Sequence, residues 1–288
     1  MNSLPPPVER ADRDRRADML PVTVAIPVKN DAVNLDRCLA RLQRFSDVIV
    51  LDSGSTDATA AVAEKYGAQL LQFEWSGRYP KKRNWFLMNH RPRHPWIFFL
   101  DADEYVDDRF CDALASALKD SDKVGFWLAY TNYFLGRELR HGVPQRKLAL
   151  FRVGAGLYER IEEEGWSRLD MEIHEHPVLD GPLGEIGVPI DHQDFKGLAR
   201  FIDKHRDYAT WEAQRYRALH ADPGAWAGLT RRQVFKYRHV GKWWYPWFYF
   251  VFGYVARFGF LDGAAGFHYA FYKAWYFQTI RLLLREAD

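Results

Sequence analysis

The chain has 288 residues, 48% of them hydrophobic, enough for one sizeable α/β domain with an appended element and too few to require two full domains. Its 40 Lys and Arg stand against 38 Asp and Glu, and the net charge of +2 gives no global reason to expect a nucleic-acid partner. Cys38 and Cys111 both fall in helix-like runs and read as small core residues rather than a disulfide, in keeping with a reducing compartment.

Residues 1–20 hold no apolar stretch between Met1 and Met19, so they cannot act as a secretory signal and read as a flexible leader to a protein kept on the cytoplasmic side. VTVAIPV at 22–28 reads as a buried strand, and a helix through Leu35, Leu39 and Leu42 follows it. DVIVLDS at 47–53 is a second strand. Ser55 and Thr56 are candidate caps for the next helix, ATAAVAEKYG, which Gly67 stops. QLLQF at 69–73 and WIFFLDAD at 96–103 supply two more strands. Continuous apolar strands alternating with helices imply a mainly parallel, Rossmann-like sheet covered on both faces.

Polar residues collect where these strands stop. Pro27, Lys29 and Asn30 follow the first, Asp52 and Ser53 end the second, and Asp101 and Asp103 end the fourth. Open parallel sheets bind ligands at the carboxyl ends of their strands, so three strands aim their polar ends at one crevice. Capping of the following helices could explain any one of them, but is a weaker account of all three. Asp101 and Asp103 can share one hard cation, Mg²⁺ or Mn²⁺, which takes oxygen ligands and fills its shell with water and phosphate oxygens. A nucleotide-sugar needs such help, because its nucleoside diphosphate leaving group gains negative charge as the glycosidic bond breaks.

The blocks VAIPVKND, VIVLDSGSTDAT, KKRNW, FFLDADE, TNYFLGRELRHG and EIHEHP occur in order at fitting intervals. Together they resemble family-2 glycosyltransferases of the GT-A fold, and most of all the bacterial branch that includes lipopolysaccharide-core β-1,4-glucosyltransferases. The resemblance covers about residues 21–195 and, more loosely, the tail motif GFLDGAAGF. It implies that Pro27, Val28 and Lys29 line the nucleotide, that Asp52 accepts from its base or ribose, and that Arg83 approaches the diphosphate beside Asp101. It implies His192, in PIDHQDF, as a further metal ligand beside Asp101 and Asp103. Arg146 and Arg152, in QRKLALFR, match a basic strand that could reach the diphosphate or an anionic acceptor. Lys81 and Lys82 suit the same anion or a solvated helix start equally well. Asp31 and Ala32 stand where the family usually has two glutamates, which puts a ribose contact there in doubt.

An inverting transferase needs a general base for the acceptor hydroxyl, a group worth roughly 10²–10⁴-fold in rate. The pair His174–Glu175 matches a His-Glu block of the family, with Glu175 the expected base. Glu162, Glu163 and Glu164 read as a solvated charge run.

Between Asp222 and Asp262 there is no acidic residue, whereas Arg231, Arg232, Lys236, Arg238, Lys242 and Arg257 are all cationic. The aromatic stretch WWYPWFYFVFGY lies inside that region, and the 14 uncharged residues from Trp243 to Ala256 fall short of a spanning helix. Residues 196–288 are therefore expected to be helical and attached interfacially to an anionic membrane surface, on the inner face of the cytoplasmic membrane. Packing of the aromatics onto the catalytic segment is the competing expectation, and both can hold on different faces.

The expected reaction moves a sugar, a hexose such as glucose, from an NDP-sugar (UDP by preference) to a hydroxyl of a lipid-linked or lipopolysaccharide-type glycan. A polyprenyl-phosphate glycosyltransferase is the alternative; its ionised acceptor needs no base. A sugar nucleotidyltransferase typically carries a Gly-rich loop after its first strand, which IPVKNDAVNL lacks. A non-catalytic membrane scaffold would have no use for the Asp-x-Asp and His-Glu blocks.

Overall fold

The computed structural model describes residues 19–163, 165–167, 169–170 and 176–286. In chain order the elements begin with β1 (Leu20–Val28), α1 (Ala32–Leu39), β2 (Phe45–Asp52), α2 (Thr59–Lys65), β3 (Gln69–Gln72) and α3 (Lys82–Asn89). Next come β4 (Trp96–Phe99), β5 (Glu104–Tyr105), α4 (Asp108–Leu118), β6 (Gly125–Phe134), β7 (Arg137–Leu139), β8 (Gln145–Arg152) and β9 (Gly156–Tyr158). β10 (Pro177–Leu179) and β11 (Leu183–His192) precede the helices α5 (Gly197–Ala221), α6 (Arg231–His239), α7 (Tyr245–Val251) and α8 (Gly263–Arg285).

Among the described residues one large sheet runs in the order β3-β2-β1-β4-β8-β6-β11-β5, with β7 on β6. The β3, β2, β1 and β4 neighbours are parallel, so the carboxyl ends of these four strands share one edge. β8 is inserted antiparallel between β4 and β6. Its amino end therefore lies where β4 ends, bringing Arg146 and Lys147 to the polar edge. Arg152, paired with Trp96, is carried to the opposite one.

The apolar strands are covered on both sides, as continuous hydrophobic runs require. Along β4, Trp96 and Phe98 enter the core under α1 and α4, while Ile97 and Phe99 enter the other, against Phe86 of α3. Cys38 and Cys111 are buried free thiols in the first core. The carboxyl-terminal helices have their own core of Ala209, Ala213, Val240, Tyr245, Phe277 and Ile280. They dock on the sheet through a smaller cluster in which Phe134 and Leu139 meet Ala265, Phe201 and Tyr269. No described helix is long and apolar enough to cross a membrane.

Candidate active site

β1 and β2 end in register, Val28 opposite Asp52. The loops beyond them are tied together. Asn30 adopts a left-handed φ of 52°. Its side-chain oxygen accepts from Thr56 N at 2.7 Å, and its own N donates to Ser55 Oγ at 2.8 Å. Ser55 also donates to Asp52. Ser55 and Thr56 thus brace the two strand ends instead of capping α2, at whose start Asp57 accepts from Thr59 N. Asp52 is buried and also accepts from Gln72, while Lys29 is exposed at the rim.

Of the two readings left open for the lysines at the start of α3, the solvated one does not hold. Lys82 is 1% exposed; its Nζ donates to Val28 O at 2.9 Å and faces Asp170 at 3.3 Å. Lys81 is buried against Glu163, which also accepts from Trp211 Nε1 at 2.6 Å. Glu163 is therefore no part of a solvated loop: it links α3 to α5. Glu162 does stay outside, paired with Arg160, and Glu164 lies outside the described residues.

The carboxylates that follow β4 sit among cations. Arg83 Nη2 lies 2.7 Å from one oxygen of Asp101, and Lys147 Nζ lies 2.7 Å from the other. Burial alone would raise the Asp101 carboxyl, but Lys147 and Arg83 overcome it and hold it well below the usual range. Asp103 is set apart from that pair by the turn between them. It faces His192 Nε2 at 3.5 Å and Lys204 Nζ at 3.6 Å, and against its own burial these neighbours, Lys204 first, hold its carboxyl well below the usual range. His192 reaches it because β11 runs parallel to β6, opposite Asn132, whose Oδ1 lies 3.2 Å from His192 Nδ1. Glu104, fully buried, accepts from Asp101 N at 3.1 Å and from Tyr130 OH at 3.3 Å, and it pairs with Lys147.

A cleft of about 390 Å³ brings together Arg83, Asp101, Asp103, Arg146, Lys147, His192 and Lys204. Pro27, Val28, Lys29 and Asp52 do not line it; they stand at the neighbouring strand ends. Arg152 is far from this chemistry: it stacks over Trp96 at 4.5 Å and donates to the carbonyls of Ser121 and Lys123. Asp31 pairs with Lys196 at 3.0 Å. His174 and Glu175 lie outside the described residues. Sequence reasoning missed Lys147, Lys204 and Glu104. The one available signal for the first was its place beside Arg146, just before the apolar run LALF; nothing local marks Lys204, which comes from α5.

Among the described residues no three His, Cys, Asp or Glu side chains enclose a metal by themselves. Asp103 and His192 nevertheless fit a divalent cation. One is an ionised carboxylate, the other an imidazole beside it, and they would leave most of the coordination shell to phosphate and water, as Mg²⁺ and Mn²⁺ prefer. Asp101 is the less available ligand, since both its oxygens already face cations.

Residues 23–173, more than half of the chain, match the family described as glycosyl transferase family 2. The chain belongs to that family. The mixed α/β sheet with helices on both faces is the GT-A architecture, here extended by the aromatic-rich helical region. The chain is similar to the lipopolysaccharide core biosynthesis glycosyltransferase LpsC of Rhizobium meliloti (strain 1021), 27% identical over 221 residues, covering 74% of this chain and 75% of that protein. It is also similar to a TPR repeat-containing protein of Synechococcus elongatus, 34% identical over 139 residues, 47% of this chain and 32% of that one. The crystal structure of S. aureus TarS 1-349 aligns with 93% of this chain and 92% of its own, at 14% identity and a TM-score of 0.43. The family-2 match stops at Ile173, so it contains Arg83, Asp101, Asp103 and Lys147, while His192 and Lys204 lie beyond it.

Proposed function

We propose that this glycosyltransferase transfers a hexose, such as glucose, from a UDP-sugar to a hydroxyl of a membrane-linked, lipopolysaccharide-type glycan, with inversion. The observation that carries the reading is the cleft at the end of β4, where ionised Asp101 and Asp103 are set among Arg83, Lys147, His192 and Lys204. That charge pattern suits a diphosphate: the basic groups take its oxygens, and Asp103 faces the cation that accompanies it. Asp103 and His192 would hold Mg²⁺ or Mn²⁺, which supplies neutralisation of charge on the leaving diphosphate. Asp101 serves chiefly to orient Arg83 and Lys147. The strand ends with Pro27, Val28, Lys29 and Asp52 stand on the nucleotide side. In the transfer, the acceptor oxygen bonds to the anomeric carbon as the bond to the diphosphate oxygen breaks, and Glu175 of the His174–Glu175 pair takes the acceptor proton.

The acceptor class follows from likeness to LpsC and from the helical region, which we assign to residues 196–288 behind a catalytic segment 21–195. Trp243 is 69% and Trp247 62% exposed, and Phe248, Val251, Phe252, Val255 and Phe258 extend the same apolar run beside exposed Arg231, Arg232, Arg238 and Lys242. Tyr245 and Tyr249 of that stretch pack on Phe277, so its two faces divide between core and surface. An apolar aromatic face flanked by cations suits an anionic membrane, here the inner face of the cytoplasmic membrane, to which the protein attaches peripherally.

The test is UDP-glucose binding and turnover with Mn²⁺ against EDTA, in the native protein and in Asp103→Asn. Loss of one preorganised electrostatic group is expected to lower turnover about 10²–10³-fold. Undiminished metal-dependent binding and turnover in the variant would overturn the assignment. Glu175→Gln is expected to keep donor binding and lose transfer.

A further inference from the structure

A second cavity, of about 230 Å³, opens beside the cleft and shares Gln145, Tyr269 and Lys273 with it. None of the donor-side groups at the ends of β1, β2 and β4 lines it. Its walls are the loop after β7 and the turn that contains GFLDGAAGF, a motif the donor chemistry leaves unused. That turn is built as a clasp. The Asp262 carboxylate accepts from Arg140 N at 3.2 Å and His141 N at 2.9 Å, and faces His141 Nδ1 at 2.8 Å. Gly142 N donates to Arg257 O at 2.8 Å. Gly266 lets the first turn of α8 press against Gly259, where a Cβ would stand 2.0 Å from the carbonyl oxygen. The chain flanking these glycines carries exposed Phe252, Phe258, Phe260 and Phe267, so the chamber stands between the apolar face and the reaction cleft.

Lys273 is the unusual group. Of the other cleft cations, Arg83, Arg146, Lys147 and Lys204 each face a carboxylate: Asp101, Glu185, Asp101 with Glu104, and Asp103. Lys273 faces Tyr269 and Tyr249, with no described carboxylate beside it, and its Nζ lies 5.4 Å from the Tyr269 ring centroid. The one carboxylate of the chamber, Asp262, is occupied by the clasp. Half-buried at the junction and with only tyrosines described beside it, the Lys273 ammonium is placed to take an anionic ligand in a charge-assisted pair.

We propose that the chamber is an acceptor subsite, and that Lys273 at its junction with the cleft binds an anionic group, a phosphate or a sugar carboxylate, on the acceptor glycan. The inference rests on the transferase reading and names which part of its acceptor the protein recognises. Membrane attachment on one side of the chamber and donor on the other put the anionic group of the glycan between its lipid and the attacked hydroxyl.

The probe is a lipid-free core oligosaccharide bearing both phosphate and acidic sugars, titrated calorimetrically so that the apolar face contributes nothing. It is compared with its dephosphorylated and its carboxyl-reduced forms, on the native protein, Lys273→Met and Lys273→Arg. One of the two treatments is expected to weaken native binding about tenfold or more, the usual worth of a charge-assisted pair, and which treatment does so identifies the group. Lys273→Met should bind untreated and treated forms equally weakly, and Lys273→Arg should recover most of the loss. UDP-glucose binding with Mn²⁺ is measured in parallel and should not change. The proposal fails if Lys273→Met binds the untreated oligosaccharide as the native protein does, if neither treatment matters, or if the native protein does not bind it. It fails too if Lys273→Met loses UDP-glucose, which would place the lysine on the donor side. Retained UDP-glucose binding in any of the other failures leaves the transferase reading standing.

Discussion

Replacing Lys82 with methionine should test how the end of β1 is held. Its ammonium binds Val28 O at 2.9 Å and faces Asp170 at 3.3 Å, so one deletion removes a donor from the end of β1 and a counterion from a carboxylate. A hydrogen bond to a charged group contributes about 1.5–3 kcal/mol. Breaking a buried ion pair costs about 3–5 kcal/mol, here reduced because the Asp170 side chain is 18% exposed and regains some water. Relief of the buried ammonium, whose own pKa burial pushes down, offsets part of both, and methionine keeps the apolar stem packed. The net expectation is a loss of about 2–3 kcal/mol, or roughly 3–5 °C in Tm for a chain of this size.

The pH dependence carries a sign. Burial would raise the Asp170 carboxyl, but Lys82 overcomes it and holds it below its ordinary 3.8. The unfolded chain therefore binds the proton more tightly, and the stabilisation is complete above about pH 3.8 and fades as pH falls through the folded value. Thermal unfolding of both proteins from pH 7.5 down to 3.5 should show a constant gap at the upper end that narrows below about pH 4. A gap under about 0.5 kcal/mol at pH 7.5, the range of a neutral surface substitution, would refute the reasoning. So would a gap that widens in acid.

Lys147→Met leaves Glu104 buried without its ammonium and should cost about 3–5 kcal/mol, with Glu104→Gln in the same chain restoring about 1–3 kcal/mol of it in a double-mutant cycle. Additive losses in denaturant unfolding would show that the two groups do not share a pair. Gly266→Ala places a methyl 2.0 Å from Gly259 O and should destabilise by about 1–3 kcal/mol, whereas Gly253→Ala, with open space around its Cβ, should unfold like the parent. Exchange of Trp243, Trp247 and Val251 for serine should abolish flotation with anionic liposomes while leaving UDP-glucose binding intact. A parent protein that stays at the bottom of the gradient would end the membrane assignment.

The sequence was most legible where chemistry and burial repeat along one strand. β4 is apolar on both faces, so its run of hydrophobics, and the carboxylates that end it, could be read directly. The convergence of β1, β2 and β4 follows from parallel pairing and was equally visible. The antiparallel insertion of β8 was not, because QRKLALFR carries no mark of its direction. Direction is what separates Arg146 and Lys147, at the cleft, from Arg152 at the far edge. Glu163 was misread, and Lys81 and Lys82 stayed open between two readings, for a related reason. Charge runs are usually solvated, and only their partners from distant segments (Val28, Asp170, Trp211) make burial affordable. The likeness to family 2 supplied roles for residues whose chemistry alone left several open.

Asp103 is met by His192 from the last strand and by Lys204 from the first long helix of the carboxyl-terminal region, 101 positions away in the chain (204 − 103). The helical region that would rest toward the lipid on one of its helices thus also furnishes, on another, a wall of the reaction vessel. An engineer who lifted out the family-matched segment and fused it to something else would carry away Asp103 and leave behind His192 and Lys204, which face it. A working transplant has to take the sequence through Lys204 at least, and the clasp beyond it if the acceptor is to come along.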